Sequence, residues 1–415
     1  MPCMINSTDP LSKRIVLADW TRKKEDNPIV ELLSLAARPG VISFALGLPA
    51  ADLFPLRAYQ QAAEHVLLTD EHALQYGVPI RQLKTQIVNL MAGRGVKCDE
   101  DQVSLTTGAQ QGMALAARLL LNRGSKVICE ETIYSGFQQV IEPFQPEIIT
   151  VPTDADTGID VEAVSSVLAE SGDQIAFIYT IPDGHNPLGV TLSQDKRRLL
   201  AELAGRYGVP IIEDDAYGFL NYHDEPLPPI RALNDQWVFY IGTFSKILAP
   251  GLRVGWIISP HKLSAKLSVV KESIDIDTGS FTQRTISAYL GMNDIAAHIT
   301  RLRWEYGLRR DMMLSALAKY FPHGAAWGIP ESGFFVWVSL PPETNTESLL
   351  KASIERMQVA FIPGHFFSVS NEGAASHSFR LSFSNSPPPL IEEGVKRLSQ
   401  IVDKHIYNGR CFGLT

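Results

Sequence analysis

The chain has 415 residues, a formal net charge of −8, and 45% hydrophobic against 20% charged residues. That length supports two packed domains, the composition excludes a disordered protein, and the acidic balance without a basic face speaks against nucleic-acid binding. The scattered Cys3, Cys98, Cys129 and Cys411 form neither a disulfide framework nor a metal-ligand pattern, so a reducing cytoplasm and no metal are expected. Met1–Ile15 lacks a basic segment followed by an apolar run, so no signal peptide is expected. Apolar runs such as Met113–Leu121 are too short for a membrane span.

Residues 1–44 read as an arm with a short helix over Pro28–Ala37, stopped by Arg38-Pro39-Gly40 because proline and glycine cannot continue it. Residues 45–285 alternate strand-like runs with helical patterns, as expected for a large βαβ domain around a mainly parallel sheet. The strand candidates are Gln102–Leu105, Lys126–Cys129, Glu147–Val151, Ile175–Thr180, Pro210–Ile212, Val238–Gly242 and Val254–Ile258. Helices are expected over Gly108–Leu121, Val161–Ala169, Gln194–Tyr207 and His261–Lys271, and a further one starts at Arg81. Residues 286–415 read as a smaller α/β domain: a long helix through Asp294–Tyr320, strands at Gly333–Val338 and Phe379–Phe383, and a closing helix from Pro389 to Tyr407.

Several strand ends carry residues suited to chemistry. Tyr240-Ile241-Gly242-Thr243-Phe244-Ser245-Lys246 runs into a Pro/Gly loop that reaches Arg253. A lysine amine can form a Schiff base with an aldehyde, while hydroxyls and a guanidinium hold a phosphate dianion. Strand Pro210–Ile212 leads into Glu213-Asp214-Asp215-Ala216-Tyr217. A carboxylate there could pair with a protonated ring nitrogen, or the acids could simply solvate a strand end. Asn186, held extended by Pro187, could present its amide to a ligand or belong to an ordinary turn. Thr107-Gly108-Ala109-Gln110 opens a helix, whose free N–H groups and dipole suit a phosphate. Tyr134 could stack on a ring or lie in the core. Arg380, alone in the apolar run Phe379–Phe383, calls for an anion: a substrate carboxylate or an internal partner.

In this order the motifs resemble the class I aminotransferases of pyridoxal 5′-phosphate (PLP) fold type I. Within them they are similar to the 2-aminoadipate/kynurenine aminotransferase group and to the aminotransferase-like domain of MocR-type regulators. The resemblance runs from about Asn27 to Tyr407 and is densest in Gly242–Gly255; Ile42–Pro49 matches the family's opening segment. It implies a large domain with a seven-stranded sheet, a smaller C-terminal domain, and PLP as cofactor. It also implies amino-acid and keto-acid substrates, no membrane partner, and a homodimer with active sites at the subunit interface. By resemblance Lys246 is the Schiff-base lysine and proton shuttle. Asp214 pairs with the pyridine nitrogen, and Asn186 and Tyr217 hold the phenolate oxygen. Gly108, Ala109, Gln110, Thr243, Ser245 and Arg253 hold the phosphate. Tyr134 stacks on the ring, Tyr76 reaches the neighbouring subunit's phosphate, and Arg380, Asn186 and Gly47 contact the substrate.

The chain departs from the family at His185-Asn186-Pro187-Leu188-Gly189, where Gln-Asn-Pro-Thr-Gly is usual, and at Glu130-Glu131-Thr132-Ile133-Tyr134. His185 could be a second acid/base or a structural replacement for glutamine. These departures leave open a PLP enzyme that eliminates, cyclises, decarboxylates or oxidises its amino acid. A regulator of the MocR kind is not expected, because the resemblance begins too early for a preceding DNA-binding domain. The absence of Gly-x-Gly-x-x-Gly after a strand argues against a nicotinamide dehydrogenase. Asp275 and Asp277 could attract a cationic substrate side chain or simply be surface acids.

Overall fold

The computed structural model describes residues 16–22, 38–223, 225–369 and 375–411, with side chains up to 406. The expected helix over Pro28–Ala37 lies outside the described residues.

The large sheet has seven strands: β1 Val103–Thr106, β2 Lys126–Glu130, β3 Glu147–Val151, β4 Ile175–Thr180, β5 Ile211–Asp214, β6 Val238–Thr243 and β7 Gly255–Ile258. All seven lie within two residues of the sequence expectation. Their order is β1-β7-β6-β5-β4-β2-β3, parallel except for β7, which is antiparallel to both its neighbours. Val127, Ile128, Ile178, Ile211, Ile212 and Val238 are fully buried. Helices cover both sheet faces, and this is why the strands read as unbroken apolar runs rather than alternating ones. The helices are α1 Leu56–Thr69, α2 Arg81–Ala92, α3 Ala109–Leu120, α4 Ser135–Ile141, α5 Val161–Ser171, α6 Gln194–Tyr207, α7 Ser264–Asp275 and α8 Ser280–Met292. Asp160 and Ser193 cap α5 and α6 by accepting from Ala163 N–H and Lys196 N–H, which satisfies donors that a helix start leaves free. The expected helix over His261–Lys271 divides into a 3₁₀ turn, His261–Leu263, and α7.

Topology decides where the chemistry gathers. The parallel strands β1, β2, β4, β5 and β6 end at one edge of the sheet, and the antiparallel β7 starts there. Ligands of open α/β sheets bind outside such carboxyl ends. The short return from β6 to β7 keeps both Lys246 and Arg253 at that edge.

The C-terminal part packs α9 Ile295–Tyr320, α10 Thr346–Met357 and α11 Pro388–Cys411 on a four-stranded antiparallel sheet. Its strands are β8 Ala326–Trp327, β9 Phe335–Ser339, β10 Ile362–Pro363 and β11 Ser378–Ser382, ordered β8-β9-β11-β10. Asp294 caps α9 through Ala296 N–H and Ala297 N–H. Ile42–Ser43 pairs in parallel with Val359–Ala360. The chain that follows, from Phe44 on, therefore passes between this sheet and the carboxyl edge of the large one. A single apolar cluster joins Phe44, α1, Tyr217, Trp256, β9 and α11, so the two sheets share a core. Among the described residues no helix is long and apolar enough to cross a membrane.

Candidate active site

At the shared edge lies a cavity of about 360 Å³, lined by Gly47, Ala109, Gln110, Tyr134, Asn186, Asp214, Tyr217, Thr243, Ser245, Lys246, Arg253 and Arg380. The sequence had singled out each of these, from segments spread over more than 300 positions. Gly108 adjoins them at the start of α3.

Lys246 Nζ donates to Gly47 O at 3.0 Å and lies 5.7 Å from the ring centroids of both Tyr217 and Phe334. Burial, then the Arg380 and Arg253 guanidiniums, lower its pKa to about 8, against the opposing pull of Asp214. At pH 7 about a tenth of the amine is then unprotonated, far more than for an ordinary lysine, and the unprotonated form is the nucleophile or base.

Asp214 ends β5 and is buried. Its Oδ2 accepts from Tyr179 OH at 2.9 Å, while Oδ1 is buried without a hydrogen-bond partner among the described residues. Burial, with help from Asp215, raises the carboxyl to about 6, although Tyr179, His185 and Lys246 pull it down. It is therefore ionised at neutral pH with an acceptor oxygen free. Such a buried, half-satisfied carboxylate fits a protonated pyridine nitrogen.

A candidate anion cup has three pieces. The first turn of α3 leaves backbone N–H groups without intrahelical partners at Ala109 and Gln110. The Thr243 hydroxyl donates to Ser245 Oγ at 2.9 Å. Arg253, in the left-handed region at φ 52°, donates to Thr107 O at 3.2 Å and lies 3.5 Å from Ser245 Oγ. A non-glycine residue held there costs about 1–2 kcal/mol, a strain found where the backbone must aim a functional side chain. Gly108 has φ +80°, and a Cβ on it would sit 2.5 Å from Arg253 Nη2; any side chain would push the guanidinium out of the cup.

Arg380, on β11, donates to Asn186 Oδ1 at 2.5 Å and to Ala45 O at 2.6 Å. It lies 4.2 Å from the Phe335 ring centroid and 4.7 Å from that of Phe367. Its Nε is buried without a hydrogen-bond partner among the described residues, and burial lowers its pKa to about 10. Among the described residues it has no carboxylate partner, so an incoming carboxylate would supply the missing charge. Burial likewise pushes the Tyr217 hydroxyl up, which keeps it a neutral donor.

The other candidates lie away from the cavity lining. Tyr76 is outside the cavity and 88% exposed. His185 is fully enclosed, with Nε2 3.4 Å from Glu130 Oε1, and does not line the cavity; it has no access to a substrate, which rules out the second acid/base. Asp275 accepts from Lys271 at 2.8 Å and Gln111 at 2.6 Å, Asp277 accepts from Gln283 at 2.9 Å, and neither lines the cavity. The sequence reading missed Tyr179 and the apolar lining from Leu46, Leu48, Met113, Ile181, Phe335, Ile362 and Phe367. Tyr179, Met113, Phe335 and Ile362 lie in ordinary apolar strand and helix patterns, and the others in connecting segments, with no side-chain chemistry to mark them. Among the described residues no cluster of His, Cys, Asp or Glu is arranged to hold a metal ion.

The family model for aminotransferase class I and II matches residues 40–398. An aromatic-amino-acid aminotransferase of Thermococcus litoralis is 35% identical over 91% of this chain and 92% of its own length. A 2-aminoadipate transaminase of Thermus thermophilus is 32% identical over 94% and 97%. A crystal structure of Pyrococcus horikoshii kynurenine aminotransferase, solved with pyridoxamine phosphate, kynurenine and its product, superposes with a TM-score of 0.88. It is 33% identical and covers 95% of this chain and 98% of its own.

Proposed function

Since the chain belongs to the class I and II aminotransferases, and is thus a PLP-dependent enzyme moving amino groups between amino acids and keto acids, we propose that its preferred substrates carry large, uncharged side chains. We further propose that the residues around Lys246 perform the reaction. The observation that carries this reading is the Lys246 amine, lowered to about 8 inside a cavity whose wall beside Arg380 is apolar: Leu46, Leu48, Phe335, Ile362 and Phe367. An anionic side chain would meet no second cation there among the described residues. The aromatic and kynurenine specificities named for two relatives agree with such a wall.

PLP, when bound, supplies an aldehyde and an electron-withdrawing ring that takes up the electron pair left as the amino acid's Cα proton departs. Ala109, Gln110, Thr243, Ser245 and Arg253 would hold the phosphate. Asp214 Oδ1 would keep the ring nitrogen protonated, and Tyr217 and Asn186 would donate to the phenolate oxygen. Arg380 would hold the α-carboxylate. Lys246 Nζ, in its neutral form, would take the proton from Cα, and it rests against Gly47 O. A homodimer completes the site: the exposed Leu74, Tyr76 and Val78 suit a partner surface, with Tyr76 reaching the partner's phosphate. The free Cys98 and Cys129 agree with a cytoplasmic enzyme. Solution mass tests the dimer. A half-reaction screen tests the substrate class: phenylalanine, tyrosine, leucine and kynurenine should convert bound PLP to pyridoxamine phosphate much faster than aspartate or glutamate. Faster conversion by the acidic pair would overturn it.

Replacing Arg380 by methionine removes the carboxylate clamp and leaves Asn186 Oδ1 without its donor. KM for the amino acid is expected to rise about 100-fold, near the 2.7 kcal/mol typical of truncating one partner of a buried charged pair. Steady-state kinetics check this; an unchanged KM would remove Arg380 from substrate binding.

PLP affinity should also depend on pH through Asp214. Its folded-state pKa is raised from 3.8 to about 6, so below about pH 6 the free protein holds a proton that must leave before the carboxylate can face a pyridinium. The native-to-Asp214→Asn ratio of PLP affinities is expected to be level above about pH 7. It should fall by up to about tenfold per pH unit below about pH 6. Equilibrium dialysis across that range measures it, and a flat ratio would exclude the pairing.

A further inference from the structure

A buried ionic cluster adjoins the cavity and takes no part in the reaction derived above. Arg94, in the turn after α2, donates through Nη1 to Asp215 and through Nη2 to Asp183 at 3.0 Å. Asp183 accepts two more bonds from Arg197, at 2.8 and 3.1 Å. Asp215 also accepts from Tyr240 OH at 3.0 Å and Gly218 N–H at 2.6 Å. The four charged side chains are at most 4% exposed, and two guanidiniums balance two carboxylates. The chain fits itself to this bridge: a Cβ on Gly218 would lie 2.1 Å from Arg94 Nη1 and 2.4 Å from Asp215 Oδ1.

The two carboxylates lie in the loops that matter. Asp183 shares a turn with Asn186, and Asp215 sits between Asp214 and Tyr217. We propose that Arg94 is a positioning residue for the cofactor: by spanning Asp183 and Asp215 it fixes the Asn186 loop against the Asp214–Tyr217 turn. This rests on the reading that Asn186, Asp214 and Tyr217 hold PLP. A planar fork with donors on two sides reaches both acids at once, whereas a lysine offers one compact charge. The bridge is also electrostatic. After burial, Asp215 is the group that most raises Asp214, and Arg94 is the cation that most offsets Asp215. Without it a buried carboxylate would stand uncompensated beside Asp214.

A bridge this deep could instead serve only to hold the fold, so the test includes a matched control. Arg231 is also buried, but donates to Asp235 O and Val238 O at the opposite end of β6. PLP dissociation constants and the visible circular dichroism of bound PLP are measured for the native protein, Arg94→Met, Arg94→Lys and Arg231→Met. Arg94→Met is expected to weaken PLP at least about tenfold and change the dichroism, with Arg94→Lys intermediate. Arg231→Met should melt earlier yet keep native PLP affinity and dichroism. Native values in Arg94→Met would overturn the proposal, as they would in Arg94→Lys should Arg94→Met not fold. So would an equal loss in Arg231→Met. Failure of the native protein to bind PLP at all would overturn the cofactor reading as well, which separates the two.

Discussion

Lys246→Ala is expected to lower kcat/KM by at least about 10⁴-fold, the upper range for losing a positioned acid–base group, and to abolish the borohydride-trapped adduct with PLP. The proposed role asks two things of the amine, to hold the aldehyde and to carry the Cα proton, and among the described residues no second lysine lines the cavity. The geometry also says what should survive. The anion cup is made by α3, Thr243, Ser245 and Arg253, none of which depends on the lysine. The variant should therefore still bind PLP, noncovalently. Nor should it unfold, because burial of an amine lowered to about 8 opposes folding at neutral pH and its removal relieves that cost. A small primary amine added to the solution should restore part of the proton transfer. Native turnover, or an adduct trapped at a different lysine, would refute the assignment.

Asp214→Asn should be the next most damaging change, lowering kcat/KM by about 10²–10³-fold, roughly 2.7–4 kcal/mol of transition-state stabilisation. The amide is almost the same size, so Tyr179 OH keeps an acceptor, but a neutral group no longer favours a protonated ring nitrogen. The sign of the stability effect is opposite. A carboxyl whose folded pKa lies above its unfolded value contributes stability that is present at low pH and lost as pH rises through about 6. At neutral pH the charged Asp214 therefore weakens the fold. Its replacement is expected to stabilise the protein without cofactor by about 1–3 kcal/mol. Melting temperatures and steady-state kinetics on the same preparation test both halves. A variant both slower and less stable would mean that Asp214 holds the fold rather than the ring. The expected pattern is the usual trade in which a site keeps a costly group for its chemistry.

These expectations depend on features of unequal legibility in the sequence. Strands β1–β7 were readable because burial on both faces leaves unbroken runs such as Ile175–Thr180 and Val238–Thr243 between turn residues. The residues after them could be marked as candidates because a lysine, an acid pair or an asparagine following such a run is unusual chemistry for a turn. Apolar lining was not readable. Phe335, Ile362 and Phe367 sit at the same spacings whether they face a cavity or a core, and only the packing of β9–β11 against the large sheet distinguishes the two. Partnership between distant charges was equally hidden. Asp275 looked available for a cationic substrate until α7 set Lys271 one turn before it and α3 brought Gln111 onto it. Likewise His185 was a candidate acid/base until its enclosure beside Glu130 was apparent.

By itself, then, the order of residues determined the seven strands of the large sheet and several helices, but not α1, α4, α8, α10, β8 or β10; the cofactor and the residues proposed to hold it came from side-chain type together with the family resemblance. The tertiary structure decided protonation and access: the lowered Lys246, the raised Asp214, the free Arg380 Nε and the Arg94 bridge. Desolvation and Coulomb interactions act through space between segments far apart in the chain, and nothing in local sequence encodes those distances.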